Sequence, residues 1–332
     1  MNTPLQTMTN PIEAGWFADW KLFLGLSRTP HGMLDLATPA MAALLWLGHF
    51  PPVSVVVVGL LTAFAGYTAV YALNDLVDYK VDKERLSLRK EPRELTHVDE
   101  IMPRHPLAKG ALPYRKGLVW CLSWSVVAVA GAWWLNPLCV AIYLISAGME
   151  TIYCKMLRIT HFKVIPSAIV KASGGLAGVY AVDPSPSLGF VALLFLWLAV
   201  WEIGGQNIAN DIVDMQEDQL VRARTVATIK GISESTFFLL AAVSMAVFGG
   251  IAIYWFAGEG VGRIYPIGAA VLGWMLLMKP AHEIYRAPGP ETAAALFNRA
   301  SYMPICYLVL VLVSIYLPQL TEWARAGLLR AS

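Results

Sequence analysis

"NDLVDYKVD", residues 74–82, places Asn74, Asp75, Asp78 and Asp82 at the foot of an apolar run that begins near Pro52. On a helix, residues four apart share a face, so Asn74, Asp78 and Asp82 form one polar stripe and Asp75 starts the neighbouring one. "NDIVDMQED", residues 210–218, repeats the spacing with Asn210, Asp211, Asp214 and Asp218. One such stripe reads as a solvated helix end. Two matched copies do not, because like charges one turn apart repel and the arrangement is costly unless cations sit between them. Carboxylate and carboxamide oxygens are hard ligands suited to Mg²⁺, which binds few protein groups and keeps positions for phosphate oxygens. Two facing stripes therefore predict two Mg²⁺ ions bridged by a diphosphate, with Asn74, Asp78, Asp82, Asn210, Asp214 and Asp218 as the metal-binding set.

The surroundings are membrane-grade. Of 332 residues, 57% are hydrophobic and only 14% charged, with a mean hydropathy of +0.55, against about 25% charged in a soluble domain. A span needs roughly 20 apolar residues. Nine candidates run over about 34–50, 53–73, 117–134, 137–154, 164–182, 187–208, 236–256, 262–279 and 302–318, the first being the most mixed in polarity. The expected fold is an all-α polytopic bundle, one domain over 1–332, with polar cap loops at 74–116 and 209–235. Residues 1–30 lack the pattern of a cleavable leader and read as an interfacial segment, with Trp16, Phe17, Trp20 and Phe23 at headgroup level. Most of the 25 Lys and Arg fall in the N-tail and in the loops that follow alternate spans. The positive-inside rule then puts the N-terminus and both acidic stretches in the cytoplasm, in a bacterial-type inner membrane. The four cysteines show no metal spacing and read as small apolar packing residues. No nucleic-acid patch or Gly-rich nucleotide loop is present.

Several cations sit where an anion at the stripes could meet them. Lys83 and Arg85 follow the first stripe, Arg104 and Lys109 lie further along that loop, and Arg222, Arg224 and Lys230 follow the second. Arg28 precedes the first span in "LSRTPHG". Ionisable groups inside spans are costly and are usually functional or paired: Lys171 in "IVKASGG", Glu202 ahead of "IGGQN", and Glu150 one turn before Tyr153. Lys171 is expected either to bind an acceptor or to pair with Glu202 or Glu150.

These motifs resemble the UbiA superfamily of intramembrane prenyltransferases. Its NDxxDxxxD motif is matched by Asn74, Asp75, Asp78 and Asp82, and its second Asp-rich motif by Asn210, Asp211, Asp214 and Asp218. "YCKMLR" matches its Tyr-x-x-x-Leu-Lys element through Tyr153 and Arg158, and "RTVATIKG" places Arg224 at the basic position that follows motif two. The family's Arg-Pro element appears as "RHPLAKG", with His105 inserted and a longer spacer before it. The resemblance covers nearly the whole chain. It implies Mg²⁺-dependent ionisation of a polyprenyl diphosphate, with Arg28, Lys83, Arg104, Arg158 and Arg224 on the diphosphate. Tyr153 shields the allylic cation, and Asp75 or Asp211 removes the proton. Lys171 and Glu202 are the acceptor-side candidates, and the bilayer holds the prenyl chain. The expected acceptor is an aromatic or quinone precursor. The alternative within the fold is a non-aromatic acceptor: a glycerol phosphate ether, a chlorophyll-type acid, a haem, or a phosphoribosyl transfer. A divalent-cation-coupled transporter fits less well, because transporters hold such ligands near the midplane on broken helices.

Overall fold

The structure, a computed structural model, describes the backbone of residues 16–88 and 102–331 and the side chains of 20–88 and 102–317. The side chains of Trp16 and Phe17 and most of the long spacer after Lys83 lie outside the described residues. The order is α1 (Trp16–Leu26), α2 (Thr29–Asp35), α3 (Ala37–Leu47), α4 (Val53–Leu88), α5 (Tyr114–Leu135), α6 (Pro137–Met156), α7 (Val164–Val182) and α8 (Leu188–Trp201). A π-helical segment (Glu202–Ile208) leads into α9 (Ala209–Val213), α10 (Met215–Leu220) and α11 (Val226–Ala252). α12 (Ile264–Gly273), α13 (Lys279–Arg286), α14 (Pro290–Ser301) and α15 (Met303–Ala331) complete the bundle. Among the described residues, eight helical stretches are long and apolar enough to cross a membrane. The chain is an all-α, multi-pass membrane protein.

Two boundaries differ from the sequence reading. The expected first span, 34–50, is a broken pair, α2 and α3, and α3 at 11 residues reaches only about 16 Å, short of the hydrocarbon core. The predicted cap loop from residue 74 is helix as far as Leu88, because α4 runs unbroken for 36 residues. Motif one therefore stands on a rigid extension of a span. Motif two bends instead. Asp214 leaves helical geometry (φ −91°, ψ 2°) between α9 and α10, yet Asp214 N–H still donates to Asn210 O (2.8 Å) and Asp218 N–H to Asp214 O (2.9 Å). The one-turn spacing survives the bend.

Packing follows membrane rules, where lipid supplies no contrast with apolar side chains and close helix approach does the holding. Gly178 of α7 faces the Pro39 carbonyl of α3 so closely that a Cβ would collide with it. Gly204 brings the π segment against α11, where a Cβ would lie 3.0 Å from Leu239 O. Trp197, Trp201, Tyr307 and Leu239 fill the interior, while Phe237, Phe248 and Val126 face outward. α1 lies against α5, with Trp20 edge-on to Trp120 (5.5 Å) and Phe23 stacked on it (4.7 Å). Cys121, Cys139 and Cys154 are buried and unbridged.

Candidate active site

The two acidic ladders face one another across a polar cavity of about 190 Å³ at one end of the bundle. Asn74, Asp78 and Asp82 line it from α4, and Asn210, Asp214 and Asp218 from α9 and α10. Arg85 ties them together: its Nη2 donates to Asp218 Oδ1 (2.8 Å) while Nη1 lies 3.5 Å from Asp82 Oδ1. A guanidinium shared by both ladders fixes them as facing groups, and neutralises part of the repulsion that four neighbouring carboxylates create.

The remaining predicted residues divide. Arg28 and Arg104 line the cavity, and Arg28 donates to Asn74 Oδ1 (3.0 Å) and lies 3.7 Å from Asp75. Its backbone is left-handed (φ 43°), a conformation costly for a residue with a Cβ. Arg158 sits at the rim on Glu84 (2.7 Å), and Lys83 and Arg224 are exposed, outside the cavity wall. Tyr153 lines the cavity with Lys163 Nζ 4.8 Å over its ring. Asp211 accepts from Lys163 Nζ (3.0 Å) and from the Val226 N–H at the start of α11 (3.1 Å). Asp75 lies behind the wall, between Arg28 and His105. Both candidate bases are therefore engaged by cations.

The insertion at His105 acquires a role that spacing did not reveal. His105 takes a left-handed backbone (φ 51°) and sets Nδ1 2.9 Å from Asp82 Oδ2 and 3.6 Å from Asp75 Oδ1. Burial alone would lower its basicity, but the two carboxylates outweigh burial and hold it above the ordinary histidine range. Across the mouth, burial lifts the Asp218 carboxyl to about 7; Arg85 opposes the rise and Asp214 and Asp211 add to it. Asn74, Asp78, Asp82, Asn210, Asp214 and Asp218 together offer hard oxygen donors of the kind that suits a divalent cation.

Deeper in the cavity, Lys171 pairs with neither Glu202 nor Glu150. Its Nζ donates to Asp35 Oδ2 (2.8 Å), which also accepts from Tyr71 OH (2.5 Å), and His31 lies 4.0 Å from the same oxygen. Glu150 accepts from Asn74 Nδ2 (2.6 Å), and Glu202 accepts from Ser167 Oγ (2.7 Å). Beyond Tyr67, Val70 and Val170, which line both spaces, an apolar cavity of about 200 Å³ continues towards Phe50, Pro51 and Val182 at the other end of the bundle. Charge at one end and a hydrocarbon-lined bore behind it suit an amphiphile with an anionic head.

A model of the UbiA prenyltransferase family matches residues 36–303. A digeranylgeranylglyceryl phosphate synthase of Thermococcus sibiricus is 24% identical over 274 residues, covering 82% of this chain and 89% of the relative. A synthase of the same name from Thermococcus kodakarensis is 21% identical over 276 residues, 83% of this chain and 91% of the relative. Among solved structures, an apo UbiA homologue from Aeropyrum pernix K1 superposes with a TM-score of 0.68 at 20% identity, covering 85% of this chain and 97% of the other. A UbiA homologue from Archaeoglobus fulgidus, solved with DMAPP and Mg²⁺, gives 0.63 at 17%, covering 87% and 98%. An enzyme that handles an amphiphilic anion inside the bilayer is the class that the bundle and its mouth define. The chain belongs to the UbiA prenyltransferase family, and is a membrane-embedded prenyltransferase.

Proposed function

We propose that the protein transfers a long prenyl group from its diphosphate to a hydroxyl of a glycerol phosphate ether, with Mg²⁺ held at the two acidic ladders. The observation that carries the reading is the shared Arg85 contact, which sets Asp82 and Asp218 face to face above an apolar bore. Asp78, Asp82, Asp214 and Asp218, with Asn74 and Asn210 beside them, are the residues that would hold the metal. Bound there, Mg²⁺ supplies charge stabilisation for the leaving diphosphate. Arg28, Arg85 and Arg104 supply cationic donors to the same group from the cavity wall. The bore takes the prenyl chain and keeps water from the allylic centre, and Tyr153 stands in the wall of the polar cavity.

An aromatic or quinone-precursor acceptor, expected from the sequence, gives way here to the glycerol phosphate ether. The support is the similarity, over most of the chain, to relatives named digeranylgeranylglyceryl phosphate synthases. The clustering of Lys and Arg on the side of both motifs supports a cytoplasmic mouth. Purified protein with Mg²⁺, labelled geranylgeranyl diphosphate and a panel of geranylgeranylglyceryl phosphate, hydroxybenzoate and dihydroxynaphthoate tests the reading. Labelled product from the glycerol ether alone is the expected result; product only from an aromatic acceptor overturns the acceptor assignment.

A further inference from the structure

We propose that Glu202 is the catalytic base that takes the acceptor's hydroxyl proton, and that Asn207 beside it orients that hydroxyl; the proposal rests on the hydroxyl-bearing acceptor of the preceding section. Both residues come from the π-helical segment Glu202–Ile208, a rare geometry that recurs at functional sites. Both are 6% exposed and both line the polar cavity.

Their hydrogen bonds close on one another and leave two oxygens over. Ser167 Oγ donates to Glu202 Oε1 (2.7 Å), and Asn207 Nδ2 donates to Ser167 Oγ (2.8 Å) and towards Glu202 Oε1 (3.4 Å). Glu202 Oε2 and Asn207 Oδ1 are buried with no hydrogen-bond partner among the described residues. Buried acceptors without a donor are uncommon and call for an explanation. Two neighbouring acceptors ask for a hydrogen-bond donor, and the hydroxyl of the glycerol ether supplies one. The other charged groups on this wall have partners: Lys171 rests on Asp35, Lys163 on Asp211, and Glu150 receives Asn74.

The depth is also right. Asn207 precedes Asn210 by three positions and Glu202 precedes it by eight, so both stand on the bore side of the second ladder. A diphosphate held at the ladders would direct its first carbon inward past Asn207, ahead of the apolar bore. As the C1–O bond to diphosphate breaks, its electron pair leaves with the diphosphate. The acceptor oxygen forms the new C–O bond to C1, and its proton passes to Glu202 Oε2. No oxidation or reduction takes place.

The test uses the full chain in lipid nanodiscs with geranylgeranyl diphosphate and geranylgeranylglyceryl phosphate. Wild-type transfer to the glycerol ether is measured first, and its absence overturns the proposed function before any variant is read. With wild type active, Glu202→Gln is expected to lower kcat at least ~100-fold, the lower end for general-base catalysis. KM for the prenyl diphosphate is expected to hold, and Glu202→Asp to recover at least about tenfold over the Gln variant. Glu202→Gln turning over within about threefold of wild type overturns the assignment. If that variant does not fold, Asn207→Leu decides: an acceptor KM raised about tenfold, one hydrogen bond's worth of orientation, supports the site, and an unchanged acceptor KM sinks it.

Discussion

Arg85 and Asp218 meet at 2.8 Å across 133 positions of sequence, and the same guanidinium reaches Asp82 at 3.5 Å. Among the described residues, this arginine is a positive charge that both ladders share. Arg85→Ala leaves the two carboxylates opposed in a largely buried mouth. The side chain keeps 19% exposure, so the expected loss in metal-free stability is about 1–3 kcal/mol, below the range for fully buried pairs. Because Mg²⁺ bound at the ladders would replace the missing charge, millimolar Mg²⁺ should return most of the lost thermal midpoint. A deficit unchanged by Mg²⁺ would separate Arg85 from the metal site.

The ladders themselves were legible because i,i+4 spacing has only one geometric meaning on a helix, and because the motif occurs twice. Arg85 was visible as a basic residue after motif one, but nothing local said that its partner stood on α10. His105 looked like an interruption of a pattern, since its value comes from a left-handed turn that aims it back at Asp82. Asp35 went unseen as the partner of Lys171 because 34–50 reads as one span, although Pro39 in "GMLDLATPA" has no N–H to give the Asp35 carbonyl and so marks the break between α2 and α3. The π segment was equally hidden. "EIGGQNI" reads as ordinary span, and only the extra residue in the turn brings Glu202 and Asn207 to one wall.

Proton binding at the mouth sets a direction for pH. The Asp218 carboxyl rises from 3.8 unfolded to about 7 folded, so the folded state binds the extra proton and stability falls as pH climbs through that window. His105, also raised, contributes stability that is present below its unfolded value and lost as pH rises through its folded one. Both groups act in the same direction. Metal-free protein should therefore melt at lower temperature at pH 7.5 than at pH 6, and the Mg²⁺-induced rise in midpoint should grow over the same interval. Calorimetry in two buffers of different ionisation enthalpy should register proton release on Mg²⁺ binding; binding without proton release at pH 6 would contradict the Asp218 assignment.

Gly59 offers a gauge of the bore. It lines the apolar cavity and has no atom within 4 Å of where a Cβ would stand. It lies about 22 Å from Asn74 along α4. Gly59→Phe should fill the far part of the bore without disturbing the mouth. The expected result is a drop of at least about tenfold in kcat/KM for geranylgeranyl diphosphate, equal to the loss of roughly two buried methylenes, with geranyl diphosphate little affected. Equal losses for both donors would mean that the chain leaves through another opening.

Lys171 and Asp35 form an ion pair inside the bundle, with side chains 10% and 2% exposed. Removing either partner alone strands a charge where water is scarce, and a loss of about 3–5 kcal/mol is expected for Asp35→Leu or Lys171→Met. Removing both takes away the charges and the debt of desolvating them together, so Asp35→Leu/Lys171→Met should recover much of the single-variant loss. In the double variant the Tyr71 hydroxyl has lost the carboxylate it donates to, so recovery should fall short of wild type by about 1–2 kcal/mol. Thermal unfolding in detergent of the four proteins of this cycle measures the coupling directly. Strictly additive losses would show that Lys171 is held by something other than Asp35, and would return it to the acceptor side of the cavity.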